Sequence, residues 1–261
     1  MRPKTTMRSM SKWLCALGMV VGGALIQAAP ASPIHGIQEI ERIILSRSLT
    51  NQVVMFGGQH EAIRSDDDFV ANLLPSLKRQ GFKYLAVEFE KNPRKESFHG
   101  IVQDYASGKI TIEEMRETWI RKEKLYCPGT FDLINTARKA GMKVVFYDAD
   151  EDAYSCWHER EKISFDNLKE LIFEKDPNAK VVIFCGALHT NKKPHRNVSA
   201  DWWGCSEEKI QYLASYIEDG SGHRNFTVSL LGGADSKAVA PFCDFVVDLD
   251  TNQYYFNSES K

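Results

Sequence analysis

The chain has 261 residues, 33 Lys and Arg against 35 Asp and Glu for a formal charge of -2, and 43% hydrophobic residues. Acids and bases are mixed along its length, so neither a basic face for nucleic acid nor a polybasic patch for anionic lipid is indicated. One α/β domain with a sizeable core fits this length and composition.

Arg2, Lys4, Arg8 and Lys12 precede an apolar run from Trp13 to Ile26, which gives way to the small residues Ala28, Ala29 and Ala31. This pattern reads as a secretory signal peptide, residues 1–31 with cleavage near Ala31, and predicts a secreted or periplasmic protein. Gly18, Gly22 and Gly23 interrupt the run, which falls short of the roughly 20 apolar residues of a spanning helix. No membrane span is therefore expected after cleavage, and residues 32–261 are expected to form a single domain. Cys15 lies too early for a lipid-modified cysteine. The other five cysteines show no zinc-module spacing; Cys127, Cys156 and Cys205 are candidates for disulfides, whereas Cys185 reads as a small core residue.

Helical spacing covers Gly36–Ser48, and Val53–Phe56 reads as a first strand. Ser65 and three aspartates are expected to cap a helix that runs to Gln80, with Pro75 as a kink. Tyr84–Phe89 is a second strand, and the charged stretch from Ile101 to Lys124 reads as helix with a capping box, Thr111 and Glu114, in its middle. A helix over Phe131–Ala140, a strand over Lys143–Tyr147, a long helix from Ala153 to Glu174 and a strand over Lys180–Cys185 follow. This alternation predicts an α/β fold, a mainly parallel central sheet flanked by helices. A helix over Glu207–Glu218 and strands at Phe226–Leu231 and Phe245–Leu249 are expected to add a mixed or antiparallel C-terminal extension.

Two strands close alike: VVMFGGQH ends on His60 and VVIFCGALH on His189, each an apolar run broken by Gly-x-x-His. A third Gly-x-x-His, Gly220 to His223, follows a helical pattern in a polar stretch and reads as coincidence. The carboxyl ends of parallel strands are where open α/β sheets bind ligands, so His60 and His189 are candidates for one shared site. Glu88 lies between Val87 and Phe89 inside the second strand, where a carboxylate is seldom left unpaired. Asp148 ends the third strand, while Asp150, Glu151 and Asp152 read as ordinary loop residues or helix caps. Two imidazoles and two carboxylates at one edge can hold a divalent metal such as Mn, Co or Zn, or activate water directly. Weaker candidates are His158, His195, the basic loop residues Lys192, Lys193 and Arg196, and Arg64 as an orienting cation. No Gly-x-Ser-x-Gly elbow, phosphate-binding loop or HExxH helix is present, which sets serine esterase and nucleotide hydrolase readings aside.

In order along the chain, Gly57, Gly58, Gln59 and His60, then Glu88 in LAVEFE, then Gly186, Ala187, Leu188 and His189, resemble the signature of one superfamily. It joins Tiki-type metalloproteases, TraB-like proteins, erythromycin esterases and ChaN-like haem-uptake proteins. The resemblance implies paired histidines and a glutamate around a crevice, used for metal-dependent or metal-free hydrolysis of a peptide or ester bond. His60, Glu88 and His189 would be catalytic or metal-binding, with Asp148 behind them, and the partner would be a small-molecule or peptide substrate. The ChaN branch implies a second reading, haem as cofactor with Tyr147, His158, Trp202 and Trp203 as ligands or stacking groups. A catalytically inactive interaction protein of the same fold is the third.

Overall fold

The computed structural model describes residues 36–59, 64–122, 128–193, 210–230 and 242–257. The leader, His60, Cys127, His195, Trp202, Trp203 and Cys205 lie outside them. The described residues all belong to one compact unit, Ala31–Lys261. Helix α1 (Ile37–Ser48) leads into β1 (Val53–Gly58), α2 (Arg64–Arg79) and β2 (Phe82–Glu90). Three helices follow, α3 (Phe98–Ala106), α4 (Ile112–Lys122) and α5 (Pro128–Lys139), before β3 (Lys143–Asp148). Then come α6 (Trp157–Leu168), β4 (Lys180–Gly186), α7 (Leu213–Ser221), β5 (Asn225–Leu230), β6 (Phe245–Asp248) and β7 (Gln253–Phe256).

The seven strands form one sheet in the order β3-β2-β4-β1-β5-β6-β7. All pairs are parallel except β6 with β7. The antiparallel extension is thus confined to the last hairpin; β5 and β6 continue the parallel sheet, and β7, too polar to read as a strand, closes it. Alternate residues of each strand serve opposite faces, as the pleat requires. Val54 and Phe56 of β1 pack under α1 to α5 with Leu85, Val87 and Val182. Val53 and Met55 pack with Ala86, Val181 and Ile183 against α6 and α7. Because both faces are covered, the central strands read as unbroken apolar runs.

Several helix boundaries depart from the sequence expectation for local reasons. The stretch expected to be one helix over Ile101–Lys124 is two, because Gly108 takes a positive φ of 80° and ends α3. The capping box is real and starts α4: Thr111 N–H donates to Glu114 at 2.7 Å, and Glu114 N–H to the Thr111 hydroxyl at 3.1 Å. Helix α2 begins at Arg64, so Ser65 lies inside its first turn, and it continues through Pro75. The long helix expected from Ala153 to Glu174 is a 3-10 turn at Glu151–Ala153, then α6, then a π turn over Lys169–Phe173 that buries Ile172 and Phe173. Asn225, in a glycosylation-type Asn-Phe-Thr triplet, is buried and donates to Ala214 O at 2.8 Å, which leaves no room for a glycan there.

Gly57 is required by contact. A Cβ there would lie 2.6 Å from Thr190 Cγ2 and 2.7 Å from Ala187 Cα, in the turn that follows β4. Gly57→Ala should therefore cost about 1–3 kcal/mol of stability through overpacking. Gly36→Ala, where nothing lies within 4 Å, should cost well under half of that. Urea unfolding of both variants checks this, and equal midpoints would show that β1 and the turn after β4 do not press together.

Candidate active site

Parallel pairing puts the carboxyl ends of β1, β4, β2 and β3 side by side, with Gly58 opposite Gly186 and Glu90 opposite Asp148. Helix α2 leaves β1 toward one face and α6 leaves β3 toward the other, as their separate cores show. β4, whose return packs α7 on the second face, lies between β2 and β1, whose helices pack on the first, so neighbouring strand ends feed opposite faces, the topological switch at which open α/β sheets bind ligands. β4 ends at Gly186 and turns into a short 3-10 helix, Ala187–Thr190, which carries His189.

His189 is 2% exposed, and both its ring nitrogens meet carboxylates. Nε2 lies 3.0 Å from Glu88 Oε1, and Nδ1 lies 2.8 Å from Glu161 Oε1. Burial opposes a charge on this imidazole, but the two glutamates outweigh it and raise its pKa to about 10. His189 is therefore an imidazolium at neutral pH, donating both N–H groups. Glu88 receives two further donors, Arg160 Nη2 at 2.6 Å on Oε1 and the Gly186 N–H at 2.6 Å on Oε2. Arg160 also joins Asp148, Nη2 to Oδ2 at 2.6 Å and Nε to Oδ1 at 3.1 Å. Burial disfavours the Arg160 charge, yet Glu88 and Asp148 hold it above its ordinary value.

The remaining acceptors are satisfied as well. Glu161, fully buried, accepts from Trp157 Nε1 at 2.5 Å and from the Leu213 N–H at 2.8 Å. Asp148 accepts from the Ser164 hydroxyl at 2.8 Å and the Ala149 N–H at 2.9 Å. The Trp157 indole stacks on His189 with ring centres 5.6 Å apart, and the Arg160 guanidinium lies 5.1 Å from the indole on its own account. On the β1 side, Asp66 accepts the Gln59 N–H at 2.9 Å, which anchors the chain just before His60.

Of the residues singled out from sequence, Glu88 and His189 bond directly and Arg160 links Glu88 to Asp148, while His60 lies outside the described residues. His158 turns away to the Tyr216 hydroxyl, 3.2 Å from Nε2. His223 bonds Gln52 at the amino end of β1, opposite the site, as expected of a coincidental motif. Asp150 stands at the N-cap position of the Glu151–Ala153 turn without a side-chain cap bond, as a loop residue whose carboxylate accepts from Asn92 N and Nδ2 at 2.8 and 3.1 Å. Trp157, Arg160, Glu161 and Ser164 were not legible as site residues. Their spacing of three and four along α6 was the available signal, since it lines up one helix face directly after a strand end.

Among the described residues no group of three or more His, Cys, Asp and Glu is arranged to hold a metal ion. The cause is visible at the site: Glu88 and His189 bond each other, and the Arg160 cation already stands between Glu88 and Asp148. Among the described residues, therefore, Glu88, Asp148 and His189 do not form a donor set that fits a divalent metal. The described haem candidates fit no better, because Tyr147 is fully buried beneath the sheet edge and His158 faces Tyr216.

No protein-family model matches the chain, and no curated protein matches it. Solved structures do. A structure described as bacterial protein toxins aligns with TM-score 0.50 and 15% identity over 87% of this chain and 39% of its own. The C-terminal region of Pasteurella multocida toxin, described with a thiol-protease-like catalytic triad, aligns with TM-score 0.50 and 12% identity over 85% and 26%. ChaN of Campylobacter jejuni, described with cofacially bound haem, aligns with TM-score 0.44 and 16% identity over 74% and 86%. The chain thus spans about two fifths of the toxin structures it matches first, and the likeness is one of fold.

His189 yields a pH prediction. A pKa raised from 6.5 to about 10 on folding adds stability that is complete below pH 6.5 and lost as pH rises through about 10. The urea midpoint of the wild type should fall across that window. Glu161→Gln should flatten the fall, because one of the two carboxylates that raise the pKa is neutral. Equal slopes in the two proteins would mean that His189 is not held charged.

Proposed function

We propose that the carboxyl edge of this sheet hydrolyses a peptide or ester bond using water activated by protein side chains, in an exported protein whose residues 1–31 are a cleaved leader. The observation that carries the reading is the buried bridge Glu88–His189–Glu161, which holds an imidazolium just past a strand end at the topological switch of the sheet. Such an arrangement holds desolvated charge where a reaction can use it, and strongly perturbed titratable groups with specific charge partners mark candidate functional sites. The order Gly-x-x-His, Glu, Gly-x-x-His, which resembles the Tiki, TraB, erythromycin esterase and ChaN superfamily, supports the same assignment.

In this reading His60 is the base. In sequence it follows Gly58, the strand end that pairs with Gly186, by two residues. His60 takes a proton from water, and the oxygen attacks the substrate carbonyl carbon. The C–N or C–O bond to the leaving group then breaks, and the proton passes from His60 to that group. His189 does not act as a base, being charged; it fixes Glu88 and, with Arg160, sets the field of the site. The bonds of Arg160 to Glu88 and Asp148 use Nε and Nη2, which leaves Nη1 to meet the developing oxyanion. Asp148 acts through Arg160 as a positioning residue. A divalent metal has no role in this scheme.

The test is a panel of p-nitrophenyl esters and fluorogenic peptides assayed before and after exhaustive chelation, alongside elemental analysis. Hydrolysis should survive chelation. His60→Ala and Glu88→Gln should each lower kcat/KM by about 10²–10⁴, with unfolding still cooperative. Full activity in both variants would sink the proposal. Activity lost on chelation and restored by Mn, Co or Zn would replace the metal-free scheme by a metal-dependent one.

A further inference from the structure

β3 forms one edge of the sheet, with β2 as its strand neighbour. Along a parallel strand the N–H and C=O of one residue point to the same side, and successive residues alternate. The Asp148 carbonyl accepts from the Lys91 N–H beyond β2 at 3.0 Å, so residues 144, 146 and 148 face β2. The Tyr147 carbonyl instead accepts from Asn167 Nδ2 at 2.9 Å, on the outer side. The register shift sets Val87 to Glu90 of β2 against Phe146 to Asp148 of β3, so the extra residue belongs to β2 and β3 keeps its alternation. Lys143 and Val145 therefore turn their backbone donors and acceptors outward, while a side chain already closes the Tyr147 carbonyl.

This edge lies in a groove of about 540 Å³. One wall comes from α3 and α5 through Gln103, Ser107 and Arg138, the other from the π turn and its exit through Leu171 and Lys175. The lining holds four cations, Lys91, Arg138, Lys143 and Lys175, and no carboxylate. Glu170 engages Lys91 at 2.5 Å from outside the lining, and Arg138 rests 4.7 Å from the centre of the Tyr105 ring. Lys143 and Lys175 are exposed.

We propose that this groove receives an extended acidic segment of a partner protein, which adds to β3 as a further strand. Backbone pairing supplies register through Lys143 and Val145, and the cations supply the sign of charge. Charge also decides among occupants. A second copy of this chain would bring the same four cations to the edge, and residues 1–12 of the chain carry Arg2, Lys4, Arg8 and Lys12. An acidic peptide is complementary. At about 3.3 Å per residue, the open stretch from Lys143 to Phe146 offers room for roughly three or four paired residues.

The probe is a capped, fluorescein-labelled ten-residue peptide alternating glutamate with threonine, followed by anisotropy. Saturable binding is expected, weakened at least tenfold in Lys143→Glu/Lys175→Glu and absent for a lysine-threonine peptide. The same peptide N-methylated at alternate residues should not bind, and hydrogen exchange at the Lys143 and Val145 amides should slow when the unmodified peptide is present. No saturable binding, or equal binding after N-methylation, would overturn strand addition, the second result by showing attraction of charge alone. Neither lysine belongs to the catalytic assembly, so ester and peptide hydrolysis by the double variant should be unchanged whichever way the binding result falls.

Discussion

A buried imidazolium between two glutamates is the constraint around which the carboxyl end of this sheet is arranged. Taking charged groups out of water costs several kcal/mol per ion unless each is paired and hydrogen-bonded. Here two cations, His189 and Arg160, face three carboxylates, Glu88, Asp148 and Glu161, and the excess negative charge is met by N–H and O–H donors from Gly186, Leu213, Ala149, Ser164 and Trp157. Removal of any one member strands a charge in a dry setting. That makes the cluster a fastener as well as the proposed reaction centre, because it ties β2, β3, β4, α6 and the start of α7 to one another through side chains.

The winding of the chain explains why these elements can meet. β1 to β2 and β2 to β3 travel toward one edge with their helices on one face. β3 to β4 and β4 to β5 travel back with α6 and α7 on the other. Reversal of direction with one crossover hand forces the change of face. The first half of the chain therefore builds strand ends, and the second half returns a helix across them.

Much of the fold was legible because it rests on patterns that local chemistry dictates. Val53–Phe56, Tyr84–Phe89, Lys143–Tyr147 and Lys180–Cys185 are buried on both faces and show it as apolar runs, so their strands and the parallel sheet follow from periodicity. Glu88 was legible as a carboxylate out of place in such a run. Arg160 and Glu161 were not, because on a charged helix nothing in HEREK separates a buried acid from its solvated neighbours; only the strand ends packed above decide which face goes inward. β7 was missed for a related reason, since its residues are half-buried and polar and its pairing partner β6 supplies the apolar side.

The π turn at Lys169–Phe173 has a consequence for how this site tolerates change. Its ring from Glu174 N–H to Lys169 C=O, 2.9 Å, encloses one residue more than an α-helical ring. The helix upstream and the chain downstream are thereby phased independently. Trp157, Arg160, Glu161 and Ser164 keep the rotation that aims them at the strand ends, while Ile172 and Phe173 keep the one that seats them in the core. A deletion within that turn would rotate one of these groups by about 100° relative to the other, so a shortened helix would have to give up either its charges or its hydrophobic footing.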